Sequence, residues 1–334
     1  MSDKKTIAFW CENADVGIQS SAEFHVNLWH FSNKKRSDFF EIGILVKDPA
    51  ALSAIRVYVP FSVGYNEVED LGERFANPEL AQGIFNEALS STRKENGRSV
   101  ELTEGDEIYC QVHVFSPDAG NIDSGEMTIH PKDGGSLITI TSDALVSLSR
   151  QSQSDGTKGY FRLRISPKPY GTRPFVTEIT PKDRAWSSGF EVIEYIDCRM
   201  NEARTLPNSV AAAADAASFG VAETSRVVFL AVVPVVSSVT SSHAGWHKSR
   251  LLETEIWKGY VPDGLDDGMV VYHWRKSFEG DTSKRLQGFS AFVKMQTRKT
   301  DLRIIALYVG VALIIGAVGS LIATSLLSLS YAFP

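Results

Sequence analysis

No side chain from Ile304 to Pro334 carries a charge. That absence excludes an ordinary solvated tail, because exposed surface is normally punctuated by Lys, Arg, Asp and Glu. Cysteine is scarce as well. Cys11, Cys110 and Cys198 are odd in number and far apart, which excludes a disulfide framework and a metal cluster set by spacing; no metal and no cofactor is expected. The start of the chain, MSDKKTIAFWCENADVG, offers only the short run TIAFWC, too little for the apolar core of a secretory signal. Both features place the body of the chain in a reducing cytosol. Strong catalytic signatures are missing too: there is no Gly-rich phosphate loop, no GxSxG turn, no HExxH and no kinase set. The formal net charge of −6 gives no support to nucleic-acid binding.

What is present begins with the tail itself. A helix over Ile304 to Leu329 would be about 39 Å long at ~1.5 Å per residue, against a hydrocarbon core of ~30 Å. A core helix of a soluble protein is shorter or amphipathic, so the run predicts a single transmembrane helix over 303–331. Lys284, Arg285, Lys294, Arg298, Lys299 and Arg303 against Asp301 make 284–303 locally +5, leaving −11 for the remainder. A basic collar before the span and none after it predicts a cytoplasmic body under the positive-inside rule. In a bacterium the membrane would be the inner one. Tyr331 and Phe333 would then anchor the far interface.

Ala312, Gly316, Ser320, Thr324 and Ser328 recur every fourth position along this run. Lipid supplies no hydrophobic drive between helices, so they associate through close backbone approach and polar contacts. The ladder of small residues therefore predicts self-association, with an inert anchor as the competing reading. The expected partners are the bilayer, further copies of this chain and a protein partner, not nucleic acid.

The body reads as strands. Period-two alternation in 42–46, 55–59 and 108–114, and the stretches SLITITS, YFRLRIS, EVIEYID, RVVFLAVVPVV and MVVYHW, predict a mainly β region. An antiparallel β-sandwich with one or two covering helices is the expected architecture. Asn77 and Pro78 signal a helix over 77–91; a second is expected near 249–260 with Ser249 as its cap, and 208–220 is either helix or connector. The polar stretch 149–159 is either a boundary between two β-rich domains, 1–150 and 158–298, or a long hairpin loop.

Four weaker constellations could bear chemistry. His30 and His247 each begin a His-x-Ser unit, as in two-histidine phosphoesterases, although two such units are close to chance. His243 and His247, with His273 downstream, could share a metal only on a helix, and Gly245 argues for a loop. In DCRMNEAR, alternation would put Asp197, Arg199 and Asn201 on one face, followed by Glu202 and Arg204. That set suits recognition of carboxylate or phosphate, or is merely an ion-paired strand end. A nuclease core of Glu191, Glu194 and Asp197 lacks the following Lys. Trp246, Trp257, Tyr260, Tyr272 and Trp274 could form a protein interface or pack in the core, and PDGLDDG lacks calcium-loop spacing.

The expectation is a tail-anchored binding module whose β-rich body receives a partner or signal and whose helix self-associates. Membrane-perturbing effectors of bacterial antiviral defence share that plan, as an analogy of architecture alone. The alternatives are an anchored phosphoesterase or nuclease, and a static membrane scaffold.

Overall fold

The computed structural model describes residues 6–17, 20–31, 33, 36–95, 97–118, 120–151, 156–169, 172–179, 191–265, 268–278, 286–298 and 302–332, without the side chains of 298, 303, 304 and 327–332. The chain opens with β1 (Thr6–Asn13), β2 (Ser21–Trp29), β3 (Phe39–Val46), β4 (Leu52–Val59) and β5 (Val68–Asp70), then helix α1 (Pro78–Phe85). Next come β6 (Ser90–Arg93), β7 (Ser99–Glu104) and β8 (Glu107–His113), with a minor pair β9 (Pro117–Asp118) and β10 (Asn121–Ile122). They are followed by β11 (Met127–Lys132), β12 (Gly135–Ile140), α2 (Ser142–Gln151), β13 (Gly159–Ile165), β14 (Val176–Ile179) and β15 (Glu191–Met200). The last part holds α3 (Asn208–Asp215), β16 (Glu223–Pro234), β17 (Ser237–Ser242), β18 (Lys248–Leu251), α4 (Thr254–Trp257), β19 (Met269–Ser277), β20 (Phe289–Arg298) and α5 (Leu302–Ala332).

Two large sheets form from these strands. The eight-stranded sheet runs β11-β12-β4-β1-β15-β20-β17, with β14 also on β15; the ten-stranded sheet runs β18-β19-β16-β2-β3-β13-β8-β7-β6, with β5 on β13. They face each other across one apolar core. Phe9 of β1 stacks on Phe24 of β2 with ring centroids 3.9 Å apart, and Ile55 and Val57 meet Val26, Ile42 and Phe229 in the same cluster. Each such side chain removed from water contributes roughly 1.5–3 kcal/mol. The sandwich read from the alternation is the fold observed.

Not every pairing is antiparallel. β1–β15, β2–β16 and β8–β13 are parallel. A parallel neighbour cannot come from a tight hairpin, so these contacts bring distant segments together. Both sheets consequently draw strands from either side of 149–159: β15 lies beside β1, and β16 beside β2. Of that polar stretch, residues 152–155 lie outside the described residues.

The helices differ from expectation in length. Asn77 caps α1 by accepting from Glu79 N at 3.0 Å, but the helix stops at Phe85 because Asn86 turns left-handed at φ 58°. Residues 90–93 then pair with β7 as a strand instead of extending the helix. Ser249 caps nothing: it lies in β18, paired with Tyr272, and the following helix is the single turn Thr254–Trp257. The Ala-rich stretch is helical over Asn208–Asp215. α2 was not foreseen; its Ala144, Leu145 and Leu148 pack into the main core.

At the C-terminus, Ile305–Leu326 is long and apolar enough to cross a membrane, with mean hydropathy 2.5 and none of it buried against the body. Ala312, Gly316, Ser320 and Thr324 lie on this helix and are exposed, and nothing approaches the face at Gly316. The Thr324 hydroxyl donates to Ser320 O at 2.9 Å. Ser328 belongs to the helix, but its side chain lies outside the described residues, as do those of Lys284, Arg285, Lys299, Arg303, Tyr331 and Phe333.

Candidate functional site

Register builds a basic cavity on the outer face of the ten-stranded sheet. On β2, Phe24 and Val26 enter the core, so alternation turns Glu23, His25 and Asn27 outward. β16 sends Arg226, Val228 and Leu230 the same way, and β19 sends Val271, His273 and Arg275. Cross-strand pairing aligns them in rows: His273, Leu230 and Asn27 in one, Arg275, Val228 and His25 in the next. Gly83–Glu87 at the end of α1 and His247–Arg250 around β18 complete the walls of a cavity of about 190 Å³. Its volume is below the ~300–1,000 Å³ of drug-sized pockets, so only a small molecule would fit.

Arg162, fully buried, forms part of the lining and is held from behind. It donates through Nε to Tyr260 Oη at 3.1 Å, through Nη1 to Tyr160 Oη at 3.0 Å, and through Nη2 to Glu41 Oε2. Arg164 donates to the other Glu41 oxygen at 2.9 Å, and Tyr260 Oη donates to Glu41 Oε2 at 2.8 Å. Burial alone would raise the Glu41 pKa, but the two guanidiniums and the Tyr260 hydroxyl hold it below the ordinary value. The network has room only because position 43 is glycine. A Cβ there would overlap the Tyr160 hydroxyl.

The cavity is electropositive. Arg162, Arg226, Lys248, Arg250 and Arg275 line it against Glu23 and Glu87. Even with Glu41 counted, cations exceed carboxylates by two. His273 reports this field: burial, then the neighbouring His247, His25, Arg275 and Lys248, push its pKa down to about 4. His25 is likewise depressed, by burial first and then by Arg162 and Arg226, against the opposing pull of Glu23. Three buried polar atoms on the lining have no hydrogen-bond partner among the described residues: Asn27 Oδ1, Arg226 Nε and His273 Nε2.

His247 belongs to this cavity, but His30 does not share it. His30 is 1% exposed, with Nδ1 2.9 Å from Asp38 Oδ2 and Nε2 3.4 Å from Glu194 Oε2. Arg173 closes the set through Nη1 to Glu194 Oε1 at 3.1 Å. With a carboxylate at each ring nitrogen both must donate, which is the imidazolium form. Burial opposes that charge, yet Asp38 and then Glu194 raise the His30 pKa to about 9. This is an internal ion network joining the two sheets. Glu194 faces it while Asp197 lies on the other side of β15, so the two carboxylates do not converge.

The DCRMNEAR residues are largely paired with one another. Asp197 accepts from Arg199 at 2.7 Å and Glu202 from Arg204 at 3.1 Å. Asn201 leaves the strand at φ 51°. Its side chain, buried, accepts from Phe9 N and donates to Phe9 O. Asn201 and Glu202 also border a second recess of about 800 Å³ shared with His243, His247 and Arg275. His243 Nδ1 accepts from Phe292 N at 3.3 Å, whereas the His247 ring packs edge-on to His273. Among the described residues no three metal-ligating side chains converge.

The aromatic set divides. Trp257 and Tyr260 pack with Trp29 in a buried cluster, Trp274 is in the main core, and Trp246 is exposed against Tyr272. Asp266 and Asp267 of PDGLDDG lie outside the described residues. The three cysteines are free and buried, and burial raises each thiol pKa. Sequence reasoning missed Glu23, His25, Asn27 and Arg226. Their signal was the polar side of two alternating strands, which single-strand reading does not assemble.

Neither a family model nor the sequence of a curated protein matches the chain. Among solved structures, the folded domain of LppM from Mycobacterium tuberculosis aligns at 10% identity over 87% of this chain and 95% of that one, with a TM-score of 0.20. The Fcho1 Mu homology domain from Danio rerio, solved with a bound Eps15 peptide, aligns at 10% identity over 90% and 81%, with a TM-score of 0.18. Both scores are too low to assign a shared fold.

Proposed function

We propose that this chain is a membrane-anchored binding module: the β-sandwich recognises a ligand or partner, and α5 tethers it to the bilayer and associates with further copies. The observation that carries the reading is the exposed apolar span Ile305–Leu326, which follows within a few residues of β20. An apolar surface of that size outside the body calls for lipid or another helix to cover it. Arg298 and the other basic residues before the span favour a cytoplasmic body, by the positive-inside rule. In a bacterium this is the inner membrane. The small-residue face at Ala312, Gly316, Ser320 and Thr324 is open for close helix approach.

The test is molar mass in a mild non-ionic detergent. The full chain is expected to give a defined oligomer, and the double substitution Gly316→Ile and Ser320→Ile to reduce it while insertion persists. An unchanged oligomer in the double variant would leave α5 as a tether only. A generic poly-Leu span that restores full assembly would also remove the small-residue face from the account.

A further inference from the structure

We propose that the basic cavity of the ten-stranded sheet binds a small hydroxylated phosphate ester, with its phosphate between Arg226 and Arg275 and a hydroxyl donating to Asn27 Oδ1. This rests on the reading of the body as a binding module and names the chemistry of its ligand.

Three independent features select that class. The first is charge: the lining has two more cations than carboxylates, Glu41 included. Part of the positive set serves α1, since Lys248 Nζ donates to Asn86 Oδ1 at 2.6 Å and Arg250 Nη2 to Gly83 O at 2.5 Å. Among the described residues Arg226 pairs only with Glu23, at 3.4 Å, and its Nε is buried without an acceptor. Arginine forks suit a tetrahedral dianion better than a single point contact does.

The second is the unanswered acceptor. Asn27 is 5% exposed, and its buried Oδ1 finds no donor. Leaving such a group unsatisfied is unfavourable, because folding takes away its hydrogen bond to water and returns none. A fully ionised phosphate ester group has no donor of its own, but a ligand hydroxyl does. Nearby, His273 Nε2 is also without a partner and accepts or donates according to tautomer.

The third is the floor. Val228 and Leu230 lie between the polar groups of their rows, and successive outward residues of a strand are about 7 Å apart. Arg275 lies one such step from the row of Asn27 and Arg226 two, so a short apolar stretch formed by Val228 and Leu230 separates anion site from acceptor, which suits a small carbon skeleton. Water would satisfy the three orphan atoms, but it would leave the positive charge unanswered.

The experiment is calorimetric titration of the full chain in non-ionic detergent with ribose 5-phosphate, with inorganic phosphate and ribose as the two halves of the probe. Ribose 5-phosphate is expected to bind with an affinity that falls as salt is raised, inorganic phosphate at least tenfold more weakly, and ribose not at all. Arg275→Gln, at an exposed position, is expected to weaken binding about tenfold or more, as is Arg226→Gln; Lys47→Gln, off the cavity, is expected to leave it unchanged. No heat with ribose 5-phosphate, equal affinity for bare phosphate, or indifference to both arginine substitutions would overturn the proposal. Vesicle flotation reports separately on the tether, so a chain that floats and ignores ribose 5-phosphate sinks the ligand assignment and leaves the anchor standing.

Discussion

His30 and Glu194 are 164 positions apart in the chain and meet inside it, Nε2 to Oε2 at 3.4 Å. One lies just after β2, the other on β15, so the contact joins the two sheets at a point neither strand's own sequence announces.

Stability should fall on the alkaline side because of this network. The His30 pKa is raised from 6.5 to about 9 in the fold, so its contribution is complete below pH ~6.5 and is lost as pH rises through about 9. At 1.36 kcal/mol per unit, that amounts to something on the order of 3 kcal/mol. Urea unfolding at pH 6 and pH 9.5 is expected to show the loss, and His30→Gln to remove most of the difference. A wild-type midpoint that is flat or rises over that range contradicts the imidazolium assignment.

Gly43→Ala should destabilise by about 1–3 kcal/mol, the usual cost of overpacking. The added Cβ would displace the Tyr160 hydroxyl, and with it the acceptor for Arg162 Nη1. A thermal midpoint within error of wild type would show that Tyr160 relocates freely.

Glu41→Gln should cost more, about 3–5 kcal/mol, because it leaves buried guanidiniums uncompensated. Arg162 and Arg164 both pair with this one carboxylate. Replacing Glu69, the partly exposed second partner of Arg164, by Gln is expected to cost at most about 1 kcal/mol. Equal effects of the two changes in denaturant titrations would contradict the central place given to Glu41.

Asn201→Ala is expected to lose about 1–3 kcal/mol through the two Phe9 backbone groups it leaves unpaired. Asn201→Gly loses the same bonds but keeps the left-handed φ without strain, so it should be the milder of the two. The reverse order would place the cost elsewhere than in the backbone turn.

The β-sandwich and the apolar span were legible because each rests on local pattern. Alternation over 42–46 or 55–59, and the uncharged run from Ile304, need no knowledge of what packs where. The helix boundaries at Asn86 and Leu251 were not: in both places strand pairing with β7 or β19 overrode helical spacing. α2 did carry a helical signal in Ala144, Leu145 and Leu148, with Asp143 early and Arg150 late, but it sat between a strand motif and a polar loop. The cavity was the least legible part. Its rows exist only because β2 and β16 pair in parallel across some two hundred residues, a juxtaposition that no local motif encodes. His30 illustrates the same limit, since its buried carboxylate partners turn a residue that resembles a catalytic base into an internal cation.

The most direct test of the account is flotation of the full chain with liposomes through a density gradient, alongside a Leu313→Arg and Ile322→Arg variant. The two charges fall within the apolar span, where each costs roughly 2.5–3.5 kcal/mol of insertion. The full chain is expected to float with lipid and resist carbonate extraction, and to stay in the dense fraction once both arginines are present. A full chain that remains with the soluble fraction, or a double variant that floats as well as wild type, would contradict a bilayer role for this helix.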